Sequence, residues 1–78
     1  MRTYMVVERF HPGCIAEAYD RFERQGRLLP DGLHYVDSWL APDEEVRFQL
    51  MRTEDPDLFP VWIARWSDLV DFEVFPLR

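Results

Sequence analysis

The length, composition and charge of this chain restrict the classes of protein to which it can belong. Its 78 residues are enough for one domain, and a chain of this size buries only about 60 to 65% of the surface that its unfolded form exposes. The formal net charge of −6 opposes binding to nucleic acid or to an anionic membrane surface, and no apolar run approaches the roughly 20 residues of a membrane span. The single cysteine, Cys14, excludes an intramolecular disulfide, so we expect a reducing, cytoplasmic location.

The first part of the chain predicts a strand followed by a helix. The segment Arg2 to Phe10 is rich in β-branched and aromatic residues, which is typical of a central strand that is buried on both faces. Apolar residues then recur at three- and four-residue spacing from Ile15 to Phe22. This period predicts an amphipathic helix that ends between Gly26 and Leu29.

The central segment from Leu33 to Arg52 predicts a β-hairpin, because two alternating apolar runs flank a short turn. A four-residue loop from Ala41 to Glu44, built around a type I turn, pairs Leu40 with Glu45 and Val36 with Gln49. The more apolar face of this hairpin is expected to lie under the helices. That face carries Leu33, Tyr35, Asp37, Trp39, Val46, Phe48 and Leu50.

The last part of the chain predicts a second helix and a fourth strand. The helix starts at Asp55 or Asp57 and carries an apolar stripe as far as Val70. Pro60 lacks a backbone donor, so we expect either a later start or a distorted first turn. The segment Asp71 to Leu77 alternates as a strand does, and its proline indicates the edge of a sheet.

The order strand, helix, strand, strand, helix, strand predicts an α+β fold of the ferredoxin-like type over residues 1–78, as a single domain. In this βαββαβ fold the four antiparallel strands follow the order 4-1-3-2, and both helices lie on one face. The opposite face has no cover within the chain although apolar residues compete for it. We therefore expect a homodimer in which two sheets pack face to face.

Four segments of the sequence resemble a family of short bacterial proteins of unknown function: MRTYMVVERFHPG, VDSWL, FQLM and LFPVWIARWSDLVDFEV. That family is similar to the dimeric α+β barrel superfamily, in which two ferredoxin-like subunits pack their sheets together. The superfamily includes cofactor-free monooxygenases, haem-degrading enzymes, lactone isomerases and stress-responsive proteins. The resemblance implies the architecture, and it transfers no catalytic residues to this chain.

The predicted topology brings polar side chains to one end of the sheet. Glu8, Arg47 and Glu73 are the candidate catalytic residues, and Ser38 and Gln49 are candidates for ligand binding. If they share the face away from the helices, they form a polar cluster inside an apolar dimer cavity, where a carboxylate pKa can be raised for proton transfer. In the alternative interpretation, Arg47 pairs with Glu8 or Glu73 across neighbouring strands and only fixes the strand register.

His34 and Trp39 are two further candidates for ligand binding, both on the predicted edge strand. His34 is a candidate because of its near-neutral titration, although a solvated or dimer-contact role explains it as well. No metal site is expected, because there are only two histidines, on separate elements, and no spaced cysteines. No cofactor is expected either, since Trp62 and Trp66 stand four residues apart as in a core stripe and no glycine-rich phosphate loop is present.

The sequence supports two functional hypotheses from different classes. In the first, the homodimer binds or transforms a small, mostly apolar molecule in a cavity on the sheet face, with or without catalysis. In the second, the chain is a non-catalytic interaction or assembly module whose sheet face or edge strands meet another protein.

Overall fold

The computed structural model describes residues 1–78 and has the predicted βαββαβ order of elements. Both crossover helices are shorter than a membrane span requires, and neither carries the continuous apolar stretch that a span needs. The strands and helices have the following bounds: β1 Arg2–Phe10, α1 Ile15–Gln25, β2 Leu33–Leu40, β3 Val46–Thr53, α2 Leu58–Ala64 and β4 Val70–Pro76.

The four strands form one antiparallel sheet in the order β2-β3-β1-β4, which is the predicted order 4-1-3-2 read from the other edge. Strand β1 is central, as predicted, but it is fully buried on one face only. Tyr4 and Val6 point into the core under the helices, whereas Met5 and Val7 on the opposite face are half-buried. The expectation of a strand buried on both faces therefore fails for the isolated chain.

Local backbone chemistry explains where α1 ends and where α2 begins. Helix α1 ends at Gln25 because Gly26 adopts a positive φ of 68° and donates its N–H to the carbonyl oxygen of Phe22. Helix α2 begins at Leu58, so Pro60 lies in the first turn, where the helix needs no backbone donor. The later start is confirmed. The helix stops at Ala64, short of the predicted stripe, and hydrogen-bonded turns lead from it into β4.

The hairpin turn forms as predicted, but the strand register does not. The N–H of Glu44 donates to the carbonyl oxygen of Ala41 at 2.8 Å, which closes the expected turn. Glu44 then adopts a positive φ of 62°, and Ala41 donates to the carbonyl oxygen of Val46, so the loop is longer than predicted. As a result Leu40 pairs with Arg47 rather than with Glu45.

The predicted assignment of hairpin faces is wrong for most of its residues. Gln49, Met51 and Thr53 of β3 are buried on the face that the helices cover. A bulge between Tyr35 and Asp37 shifts the β2 ladder by one residue, which moves the following side chains to the opposite face. Of the β2 residues predicted to lie under the helices, only Leu33 and Tyr35 are on the face that the helices cover. The displaced residues, which lie on the face without helices, are Asp37, Trp39, Val46, Phe48 and Leu50.

The face without helices, called here the open face, is apolar at its centre. Its large exposed side chains are Trp39, Phe48 and Phe75, with 49%, 37% and 46% of their surface accessible. Ladder partners place Met5, Val7 and Leu50 among them. The buried core lies on the other side of the sheet, where Tyr4, Val6, Leu33 and Met51 pack against Phe59, Trp62 and Trp66.

Candidate functional site

A small pocket lies between the covered face of the sheet and the two helices. Its volume is about 40 Å³, and most of its wall is hydrophobic, with aromatic side chains from α1, α2, β4 and the turn that follows α2. Its polar lining comes from β1, β3, α1 and the loop after α1. We call this cavity the Glu8 pocket, and its polar side chains are Glu8, Tyr19, Arg27, Arg47 and Gln49.

Glu8 is the buried acid of this pocket. Only 6% of its surface is accessible, because β1 directs it under the helices beside Val6. Gln49 donates from Nε2 to Glu8 Oε1 at 2.6 Å, and its own Oε1 accepts a longer bond of 3.3 Å from Arg27 Nε. Burial raises the pKa of Glu8 to about 6 although the Gln49 bond and the charges of Arg47 and Arg27 favour the ionised form.

Arg47 stands directly opposite Glu8 in the β1–β3 ladder, yet the two side chains do not form an ion pair. Arg47 instead donates from Nη2 to the hydroxyl of Tyr19 on α1 at 2.5 Å. Its Nε is buried and has no hydrogen-bond partner. The interpretation in which Arg47 only fixes register through a salt bridge with Glu8 or Glu73 is therefore wrong, and this pocket-lining side chain keeps a strong donor unpaired.

Arg27 holds the loop between α1 and β2 over the pocket. Its guanidinium lies 3.5 Å from the ring centre of Tyr35 and 5.0 Å from that of Phe22. Its backbone carbonyl accepts the indole N–H groups of Trp62 and Trp66, each at 2.9 Å. These contacts connect the loop to α1, to β2 and to the α2 region.

The structure does not bring all of the predicted site residues together. Glu8, Arg47 and Gln49 do meet, but on the covered face rather than the face away from the helices. Ser38 is the ladder partner of Gln49, and its hydroxyl bonds to that of Tyr35 at 2.8 Å. Glu73 lies on the open face and forms an ion pair with Arg9, so the sheet separates its side chain from that of Glu8.

His34 and Trp39 also lie outside the pocket. His34 is exposed on β2 opposite Arg52, and Trp39 is half-exposed opposite Phe48. Both side chains are therefore on the open face. Nowhere in the chain do three or more His, Cys, Asp or Glu side chains group closely enough to hold a metal ion.

Sequence reasoning missed two polar residues of the pocket, Tyr19 and Arg27. The helical period had assigned Tyr19 to the apolar face of α1, and that face does pack on the sheet. The signal that its hydroxyl needs a buried partner was present, because a buried tyrosine usually bonds through its O–H. Arg27 carried no pattern of its own, since its position depends on the positive φ of Gly26 and Leu28.

The arrangement has a definite chemical capacity. A buried carboxyl group with a pKa of about 6 exchanges a proton near neutral pH, and two arginines beside it supply positive charge. The surrounding apolar wall lowers the local dielectric constant, which strengthens these interactions relative to those in water. The site can therefore hold a small polar group and move a proton at Glu8.

We predict that replacing Glu8 by Gln changes how stability depends on pH. The native pKa of Glu8 is raised from 4.5 to about 6, so its favourable contribution is complete below the unfolded value and is lost as pH rises through about 6. Relative to Glu8→Gln, the wild-type protein should lose about 2 kcal/mol of unfolding free energy between roughly pH 4 and pH 8. Urea unfolding at several pH values measures this difference.

Glu73→Gln is the matched control, because it makes the same change on the open face. This variant removes the exposed Glu73–Arg9 ion pair, which contributes little to stability, and it should keep the wild-type pH dependence between roughly pH 4 and pH 8. Taking the difference between variants also removes the contribution of His11, whose pKa is raised by its hydrogen bond to Asp71. A wild-type profile parallel to that of Glu8→Gln would mean that Glu8 is solvated.

Comparison with known proteins places the chain in a family but supplies no activity. No curated protein matches the sequence significantly. A family model does match, over residues 2–78, which is nearly the whole chain. The chain therefore belongs to the family described as a domain of unknown function, DUF3303.

Proposed function

We propose that this protein binds a small molecule with an apolar body and one polar group in the Glu8 pocket. The observation that carries the proposal is the unpaired, buried Nε of Arg47 beside the buried carboxyl group of Glu8. A buried donor without a partner costs free energy, and a ligand oxygen that accepts its hydrogen bond would remove that cost. The aromatic wall supplies a surface for the apolar body of the ligand.

The same pocket supports a proton transfer step as an extension of binding. Glu8 has a pKa near neutral pH, which is the range in which a general acid or base is most effective. Such a step needs only the side chain and the bound molecule. In this proposal Glu8 is the residue that exchanges the proton, and Arg47 holds the polar group of the ligand.

We also propose that the protein is a homodimer in which the two open faces pack together. The exposed apolar side chains at the centre of that face support this arrangement, because leaving them in water is unfavourable. Charge supports a second copy as well. The open face carries Arg9 and Arg52 against Asp37, Asp71 and Glu73, so it is nearly balanced on a chain whose net charge is −6.

A non-catalytic interaction module is the second candidate function, and the same open face favours it. In that case another protein, rather than a second copy, covers Trp39, Phe48 and Phe75. The two candidates differ in where a ligand acts. The binding proposal places the ligand under the helices, and the interaction module needs no occupied pocket.

The three tryptophans predict a direct test of where ligands bind. Trp62 and Trp66 line the Glu8 pocket, whereas Trp39 lies on the open face. We expect short-chain alcohols, amides and acids to shift the indole N–H signals of the first two in a ¹⁵N-labelled sample. Glu8→Gln should change the affinities, and the matched Glu73→Gln variant should leave them unchanged. Shifts confined to Trp39 would instead locate binding on the open face.

A charge on the open face should disrupt the proposed dimer. Phe48→Glu places a carboxylate at the centre of that face, where burial against a second copy would leave it without a partner. Light scattering across a dilution series should give the mass of a dimer for the wild-type protein and of a monomer for this variant. Val61→Glu is the matched control, since Val61 is similarly exposed, at 44%, but lies on α2. A wild-type monomer at all concentrations would contradict the proposal.

A further inference from the structure

We propose that the polar group accepted by the Glu8 pocket is a carboxylate, bound by Arg47 and taken up together with one proton on Glu8. This inference rests on the proposed function, because it names the chemical class of ligand for the same site. It follows from the donors present, the charges around them and the size of the space.

The unpaired donor of the pocket fits an anionic acceptor. Arg47 already uses Nη2 for the hydroxyl of Tyr19, and its buried Nε has no partner within the chain. A guanidinium forms its strongest hydrogen bonds with charged oxygen acceptors such as carboxylates. A neutral amide or alcohol oxygen would satisfy Nε, but with a weaker bond.

Of the elements around Glu8, only two contribute a charged side chain to the pocket. Strand β3 contributes Arg47, and the loop after α1 contributes Arg27. Helix α1 contributes the neutral hydroxyl of Tyr19, while α2 and β4 contribute only uncharged side chains to the pocket. With Glu8 ionised the site carries one excess positive charge, and with Glu8 protonated it carries two. The protonated site is therefore the better match for an anion.

Proton uptake has a specific location. Glu8 Oε1 accepts the bond from Gln49, so Oε2 is the oxygen that takes the proton from solvent. The proton removes the repulsion between two carboxylates in one small cavity, as happens where paired acids share a site. No covalent bond forms or breaks in the ligand, and at pH values well above the pKa of Glu8 one proton moves from water to Glu8 for each anion bound.

The size of the cavity also fits a carboxyl group. A cavity needs a volume of at least about 10 to 15 Å³ to hold a single water molecule. The volume of about 40 Å³ therefore accommodates a group of roughly three heavy atoms. A carboxylate has three, and the aliphatic part of a small acid can extend along the aromatic wall.

Propionate and propionamide form a matched pair of probes, equal in size and different in charge. At about pH 6 and constant ionic strength, propionate should bind at least tenfold more tightly than propionamide. Binding is measured from the NMR shifts of the indole N–H signals of Trp62 and Trp66 and of the Nε–H signal of Arg47. The affinity for propionate should fall at least tenfold by about pH 8, because the required proton is then lost from Glu8. In Glu8→Gln, propionate affinity should be independent of pH over this range.

Arg47→Gln separates the anion contact from general occupancy of the pocket. This variant should lose the preference for propionate while still binding propionamide, and the dispersion of its amide signals reports whether it is folded. Equal binding of both probes to the wild-type protein would overturn the inference and leave the binding proposal standing. If neither probe shifts any pocket signal, so that Arg47 contacts only water, both the carboxylate inference and the binding proposal are overturned.

Discussion

The carbonyl oxygen of Arg27 accepts hydrogen bonds from two tryptophan side chains, and the candidate site depends on this pair of contacts. Trp62 and Trp66 are buried parts of the core, so their indole N–H groups must find acceptors within the protein. One loop carbonyl satisfies both. The loop is thereby held above the sheet, and the Arg27 side chain reaches Gln49 and the aromatic rings of Phe22 and Tyr35. The core and the pocket consequently share the same supporting interactions.

The largest unfavourable contribution of the pocket to the stability of the fold is the burial of charge. Glu8 lies beside two arginines, which should make its ionised form favourable, yet burial outweighs them and raises its pKa to about 6. Arg47 adds to this unfavourable contribution, because it bonds to Tyr19 rather than to Glu8 and keeps one buried donor unpaired. A chain of this size has little stability to spare. Both the buried acid and the unpaired donor therefore lower the stability of the fold, and neither is needed to hold the sheet together.

The fold was predictable from sequence to a greater depth than the site. Element order, strand order and the ends of β1 and β2 follow from apolar periodicity and turn residues, and the position of Pro60 correctly indicated a late start for α2. The faces of the hairpin were not predictable, because the bulge after Tyr35 leaves no signal in an alternating sequence and shifts every later residue to the other face. Both faces of the sheet are also apolar, so the more apolar one does not identify the core. Glu8, Arg47 and Gln49 were correctly expected to approach one another because they lie at the same end of neighbouring antiparallel strands, whereas the position of Arg27 depends on a loop conformation.

The ionisation of Glu8 is the most direct test of whether the pocket holds a desolvated acid. Carbon-detected NMR of the side-chain carboxyl group, with Glu8→Gln used to assign its signal, gives the pKa without reference to any ligand. We expect a midpoint of about 6, because the carboxyl group is buried beneath the helices. A midpoint near the ordinary value of 4.5 would contradict this expectation, because burial would then not outweigh the Gln49 hydrogen bond and the charges of Arg47 and Arg27.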